Sequence, residues 1–203
     1  MRISDVNVHN EGYVDCKSSF YSCNDILSAS ERYNFCHGVN RLIGDIDSGI
    51  WAISYLMSMY GCAPKRDFVL FAPLEIVVNG FVLTLDQFTE YSCYMDKVYP
   101  LFSTKLSIIN LVSKGLKKSK TGYSVEEIRE IFKISEDRFQ LPLKKVGNEI
   151  FKAMAAIGFA NGKQVFCFPW QSKQRFSYYH QNLTDLLDTL EKLNCIVVLP
   201  IGR

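Results

Sequence analysis

The chain has 203 residues, enough for one domain with a substantial core, and its 48% hydrophobic and 22% charged content is that of a globular protein, not a disordered tail. A formal net charge of +2 leaves no electrostatic case for nucleic acid or an acidic membrane surface as the main partner. The seven cysteines (Cys16, Cys23, Cys36, Cys62, Cys93, Cys167 and Cys195) include no C-x-x-C pair, which argues against a zinc site or disulfide framework and for a reducing compartment.

The opening stretch, MRISDVNVHNEG, lacks an apolar core of signal-peptide length. No run approaches the roughly 18 apolar residues of a membrane span, so a cytoplasmic location is expected. Ile3, Val6 and Val8 alternate weakly, as in an edge strand. RYNFCHGVNRLIG reads as a strand, a turn at Gly38, and a second strand through Leu42 and Ile43. From Ile50 to Tyr60, IWAISYLMSMY has no breaker before Gly61 and predicts a helix. DFVLFAPLEIVVNGFVLTL predicts two or three strands, punctuated by Pro73 and the turn Asn79-Gly80.

The basic run Lys114, Lys117, Lys118 and Lys120, flanked by Ser and Gly, reads as a solvated loop. SVEEIREIFKI opens with Ser124 answered by Glu127, a capping box, and aligns Val125, Ile128, Ile131 and Phe132 on one helix face. GNEIFKAMAAIGFA predicts a second helix, leading into the apolar strand QVFCF that stops at Pro169. Leu183, Leu186, Leu187, Leu190 and Leu193 mark an amphipathic helix before the last apolar strand, CIVVLP. Fully apolar strands alternating with helices mean a parallel sheet covered on both faces, hence an α/β architecture. Phe166 and Phe168 belong to its core. None of His9, His37 and His180 has a sequence neighbour that makes a metal pair.

One stretch, GVNRLIGDIDSGIW, carries two glycines five positions apart between an apolar strand and a helix. A working phosphate loop combines backbone N–H groups, a lysine on the β/γ-phosphates and a Ser or Thr on magnesium. Gly44, Asp45, Asp47, Ser48 and Gly49 could form such a turn, but Ile50 and Trp51 stand where the lysine and hydroxyl would be. Taken alone, a pair of glycines at this spacing also fits an ordinary turn, and Ile50 and Trp51 fit a helix buried on the sheet.

The order of elements resembles the nucleotide-binding domain of ATP-binding cassette (ABC) proteins. Phe35, Gly38, Leu42, Ile43, Gly44, Ser48 and Gly49 stand in places that match the family's strand, turn, strand and phosphate loop. Tyr21 stands where the family keeps an aromatic on adenine, and Asp96 or Lys97 where it keeps the Q-loop glutamine. Val146, Gly147, Asn148 and Glu149 fall on the signature positions, and Pro169 and Trp170 on the magnesium-binding Asp and the catalytic Glu. Leu199 or Pro200 falls on the switch histidine.

The resemblance implies a P-loop NTPase-like sheet covered by helices, an antiparallel β part near the N-terminus and a helical insertion at about 104–160, all in a single domain, 1–203. It further implies a degenerate cassette: ATP or ADP bound weakly, no hydrolysis, and function through a protein partner. That partner is a second copy, another ABC domain or a membrane permease, which would place the chain peripherally at the membrane. The alternatives are a divergent ATPase that borrows a lysine, from Lys97 or the 114–120 run or from a partner, and a soluble scaffold that binds no nucleotide.

Overall fold

The computed structural model describes residues 1–10, 14–17, 24–27, 31–45, 47–60, 62, 68–70, 74–102, 105–174 and 180–203. Tyr21 and Pro73 lie outside them. In chain order the elements are β1 (Asp5–Asn10), β2 (Val14–Lys17), β3 (Asn24–Leu27), β4 (Glu31–Cys36), β5 (Gly38–Ile43), α1 (Ile50–Met59), β6 (Phe68–Leu70), β7 (Leu74–Val78), β8 (Phe81–Leu83), α2 (Leu85–Thr89) and β9 (Ser92–Tyr94). There follow α3 (Ile108–Ser119), α4 (Val125–Ile131), α5 (Glu136–Phe139), α6 (Ile150–Ala160), β10 (Val165–Cys167), α7 (His180–Lys192) and β11 (Ile196–Ile201).

Two antiparallel sheets, ordered β4, β1, β7, β8 and β3, β2, β6, accompany a parallel sheet ordered β5, β11, β10, β9. The apolar strands predicted to be parallel, β10 and β11, are so. β1 is not an edge strand. It lies between β4 and β7, and its alternation buries Val6 and Val8 completely. The weak alternation in sequence reflects polar Asn7 and His9 on the other face of a central strand.

The chain changes sheets between β4 and β5 at His37, whose Nε2 lies 2.7 Å from the Ile3 carbonyl. Gly38 takes φ +92 there, open to glycine at little cost, and donates its N–H to the Cys195 carbonyl at 2.9 Å.

Alternation on the parallel sheet decides what covers it. Ser92 and Tyr94 face α1: Ser92 Oγ donates to the Met57 carbonyl at 2.6 Å and Trp51 Nε1 to Tyr94 Oη at 3.1 Å. Cys93 and Phe166 turn to the other face, against Gly158 of α6. All ten residues of α1 are buried, because its remaining sides meet α2, β2 and β3. Phe166 and Phe168 are fully buried, as expected.

The lysine run is helical, not a loop. Lys114, Lys117 and Lys118 ride the exposed face of α3, while Ile108, Leu111, Val112 and Gly115 are buried. Gly115 reads as a breaker in sequence, yet a Cβ there would sit 2.9 Å from the Ala160 carbonyl carbon and 2.5 Å from Asn161 Nδ2. Close crossing of α3 and α6 requires it.

The capping box forms: Ser124 Oγ accepts from Glu127 N at 3.2 Å, and Glu127 Oε2 accepts from Ser124 N at 2.7 Å. Hydrogen bonds from Ser124 to the carboxyl, the backbone N–H first and then the hydroxyl, hold Glu127 below the usual carboxylate range. A lowered folded pKa means that the stabilisation is complete above the unfolded value of about 4.3 and is lost as pH falls through the folded value. Ser124→Ala removes the Oγ that accepts the Glu127 N–H and is expected to cost about 1 kcal/mol as a lost N-cap. Because alanine keeps the backbone N–H that Glu127 accepts, most of the loss of stability in acid should persist in the variant, as thermal denaturation at the two conditions would register.

Candidate functional site

The loop from Gly44 to Gly49 joins β5 to α1 at the carboxyl end of the parallel sheet, where open α/β sheets place their ligands. Gly44 donates its N–H to the Ile201 carbonyl at 3.0 Å, which ties the loop's start to the end of β11. The Asp45 carbonyl accepts from Ser48 N at 3.1 Å and from Ser48 Oγ at 2.6 Å, so the loop closes as a turn on itself. A Cβ on Gly44 would lie 2.3 Å from Ser48 Oγ and 3.4 Å from Ile50 Cδ1. Those side chains thus occupy the face of Gly44 that a bulkier residue would fill. Gly49, with φ +85, turns the chain into α1, and its carbonyl accepts the Ile53 N–H at 3.1 Å.

Asp45, Asp47 and Ser48 are exposed, whereas Ile50 is 8% exposed and Trp51 0%. Trp51 stacks on Tyr55 with centroids 4.9 Å apart, and Tyr55 meets the Tyr94 ring edge-on at 5.2 Å. The positions that follow Gly49 are therefore built into the core.

Trp170 comes from β10's end and reaches the loop across β11. Its Nε1 donates to the Gly44 carbonyl at 3.1 Å, and its ring packs on Gly202, where a Cβ would come within 2.8 Å. Gln171 holds this approach, donating its N–H to the Pro200 carbonyl at 3.0 Å and its Nε2 to the Pro169 carbonyl at 3.1 Å. Beside the indole opens a cleft of about 800 Å³ lined by Asp45, Trp170, Ser172, Lys173, Gly202 and Arg203, among others. Lys173 and Arg203 are cations that sequence reasoning did not single out. The one signal for them was their place just beyond the apolar strands β10 and β11.

The other positions are dispersed. Asp96 Oδ1 accepts from Val98 N at 3.2 Å, and its carbonyl from Tyr99 N at 3.0 Å, which closes a turn after β9; Lys97 is exposed. Val146 to Glu149 form 3-10 turns ahead of α6. There the Glu149 carboxylate receives Arg138 Nη1 at 3.0 Å and the Ser135 hydroxyl at 3.2 Å, while Asn148 Oδ1 also accepts from Arg138. Leu199 and Pro200 lie inside β11 and are buried. Lys118 lines a separate hollow at the amino end of the sheet, away from the loop.

Solved structures match this fold over nearly all of the chain. A protein of Pyrococcus furiosus described as an ABC transporter ATP-binding protein is similar over 98% of this chain and 91% of its own, at 12% identity and a TM-score of 0.61. The fold is that of an ABC ATP-binding cassette. An ATP-binding cassette of an ABC transporter, in its ADP conformation, is similar over 100% of this chain and 82% of its own, again at 12% identity and TM-score 0.61. No family model and no curated protein matches the sequence. Among the described residues no helix is long and apolar enough to cross a membrane.

Proposed function

We propose that the chain is an ABC-type ATP-binding domain, single over residues 1–203, whose phosphate loop is kept for structure and not for catalysis. It acts as a non-catalytic partner or regulatory subunit of an ABC system, binding ATP or ADP weakly. The observation that carries this reading is the filled loop. Ser48 and Ile50 lie on Gly44, Trp51 is in the core, and Trp170 donates to the Gly44 carbonyl from the position that matches the family's catalytic acid. Phosphoryl transfer depends on positioned charge; Ile50, Trp51 and Trp170 supply no cation, metal ligand or base, and the Ser48 hydroxyl donates to the Asp45 carbonyl.

The partner is a second copy, another ABC domain or a membrane permease, with the chain cytoplasmic and peripheral at the membrane through it.

The test is magnesium-dependent ATP turnover and ATP binding by the purified chain, together with co-purification of a cassette or permease subunit. We expect turnover at the buffer blank, binding in the high micromolar range or weaker, and a co-purifying partner. A strictly solitary protein with rapid turnover would overturn the reading. Lys173 and Arg203 beside Asp45 favour the rival, a divergent ATPase with a borrowed cation. In that case turnover appears and disappears again in Lys173→Ala.

A further inference from the structure

Charge is unevenly placed along this chain, which the net value of +2 conceals. Between Asp96 and Glu126 stand six lysines, Lys97, Lys105, Lys114, Lys117, Lys118 and Lys120, and no Asp or Glu. On α3, Asn110, Lys114, Lys117 and Lys118 are exposed, and at 3.6 residues per turn they share about 100° of arc. Ile108, Val112 and Gly115 are buried, Gly115 against α6. Lys105 precedes the helix and Lys120 ends it, both exposed. A bridge between Ser107 and Pro142 brings the 3-10 turn Leu143–Lys145 to the helix start, with Lys144 and Lys145 exposed.

Nothing within the fold neutralises this face. Among the described residues none of Lys105, Lys114, Lys117, Lys118 and Lys120 is in an ion pair. On α4, Glu126 and Glu130 meet Arg129 at 3.2 and 3.6 Å, and Glu127 is held in the capping box. The other acids of the helical insertion, Glu136, Asp137 and Glu149, lie on α5 and ahead of α6, and Glu149 is paired with Arg138. Lys114 repels Lys117 and Lys118 at i,i+3 and i,i+4 spacing, a small cost to the helix. The dipole at the helix's carboxyl end favours Lys117 and Lys118 but not Lys114, five residues before Ser119. Stability of α3 therefore does not account for the stripe, whereas an external anionic surface would.

Two exposed apolar side chains select the kind of surface. Leu106 stands just before α3 and Tyr123 just after it, 36% and 38% exposed. Such side chains favour the boundary between lipid headgroups and acyl chains, where lysines reach the phosphates.

We propose that the lysine face of α3 binds the anionic headgroups of a phospholipid bilayer directly, with Leu106 and Tyr123 at its margins. The contact needs neither the phosphate-like loop nor a partner subunit, so it stands or falls independently of the reading of the loop.

Flotation of the full chain with phosphatidylcholine vesicles, with and without about 30% phosphatidylserine, tests it. At about 0.1 M salt, binding is expected only to the anionic vesicles, half-saturated at about 1 mM accessible lipid or below. The triple variant Lys114→Gln, Lys117→Gln, Lys118→Gln changes exposed positions only and should weaken binding about a hundredfold. A control that removes the same charge outside the insertion, Arg32→Gln, Arg41→Gln, Lys192→Gln, should bind as wild type does. Equal binding to the uncharged vesicles, unchanged affinity in the α3 variant, or an equal loss in the control would each overturn the proposal. Tighter binding of polyglutamate or an RNA duplex than of the anionic vesicles would overturn it too, by assigning the stripe to another polyanion.

Discussion

Trp51→Ala is expected to destabilise the protein by about 4 kcal/mol, within the range for emptying a large buried aromatic site. For a chain of this size that lowers Tm by roughly 8–16 °C. The indole is fully buried, stacks on Tyr55 and donates to Tyr94 Oη at 3.1 Å, so the substitution removes packing, a ring contact and a hydrogen bond together. Tyr94 belongs to β9, the far strand of the parallel sheet, so Trp51 ties the helix after the loop to the edge opposite β5. Trp51→Ser, which installs the hydroxyl that a magnesium-binding loop carries, should cost at least as much, because it empties the same volume and buries a polar group. Thermal and urea denaturation followed by circular dichroism would measure both. A drop in Tm of less than about 3 °C would mean that Trp51 carries little of the packing assigned to it.

Much of the parallel core was legible because it is locally consistent. The helix from Ile50 has an apolar run and no breaker, and β10 and β11 are short apolar runs with Pro169 and Asn194 at their margins. The capping box at Ser124 is a pattern of two residues three apart, and it formed. What failed needed tertiary information. The helix α3 was hidden by Gly115, which looks like a break until α6 is seen crossing at that point. The strand β9 was hidden by Ser92, a polar residue buried because α1 supplies a carbonyl for it.

The candidate site was legible in part for the same reason. Gly44 and Gly49 announce a tight turn by their spacing, and the apolar Ile50 and Trp51 announce a helix buried from its first turn. The bond from Trp170 to Gly44 spans 126 residues and depends on β11 lying between β5 and β10. No local pattern encodes it. Lys163 was missed likewise: a lone lysine after a helix looks solvated until its ammonium is found to cap the carbonyls at the end of α2.

If the proposed reading of the loop is right, placing a lysine at position 50 alone gives no catalysis. In Ile50→Lys, magnesium-ATP turnover is expected to remain at the buffer blank. A single positioned group of this kind is worth about 10²–10³-fold in rate. On the proposed reading, Trp51 stands where a hydroxyl would be, and Pro169 and Trp170 where acids would be, so the variant still lacks three such groups, a shortfall of roughly 10⁶–10⁹-fold. The substitution also carries a structural cost. Ile50 is 8% exposed and touches Gly44's face of the loop, so an ammonium there must either displace Ser48 or turn outward toward Asp45 and Asp47. Turning outward satisfies its charge but takes it away from any phosphate held at the helix start. Only replacing Trp170 as well would break the bond to the Gly44 carbonyl and let the loop widen. Phosphate release measured for wild type, Ile50→Lys and Ile50→Lys with Trp170→Glu separates these steps. Magnesium-dependent turnover in the single variant would show that the loop was poised for catalysis and lacked one charge, contrary to a loop rebuilt as core.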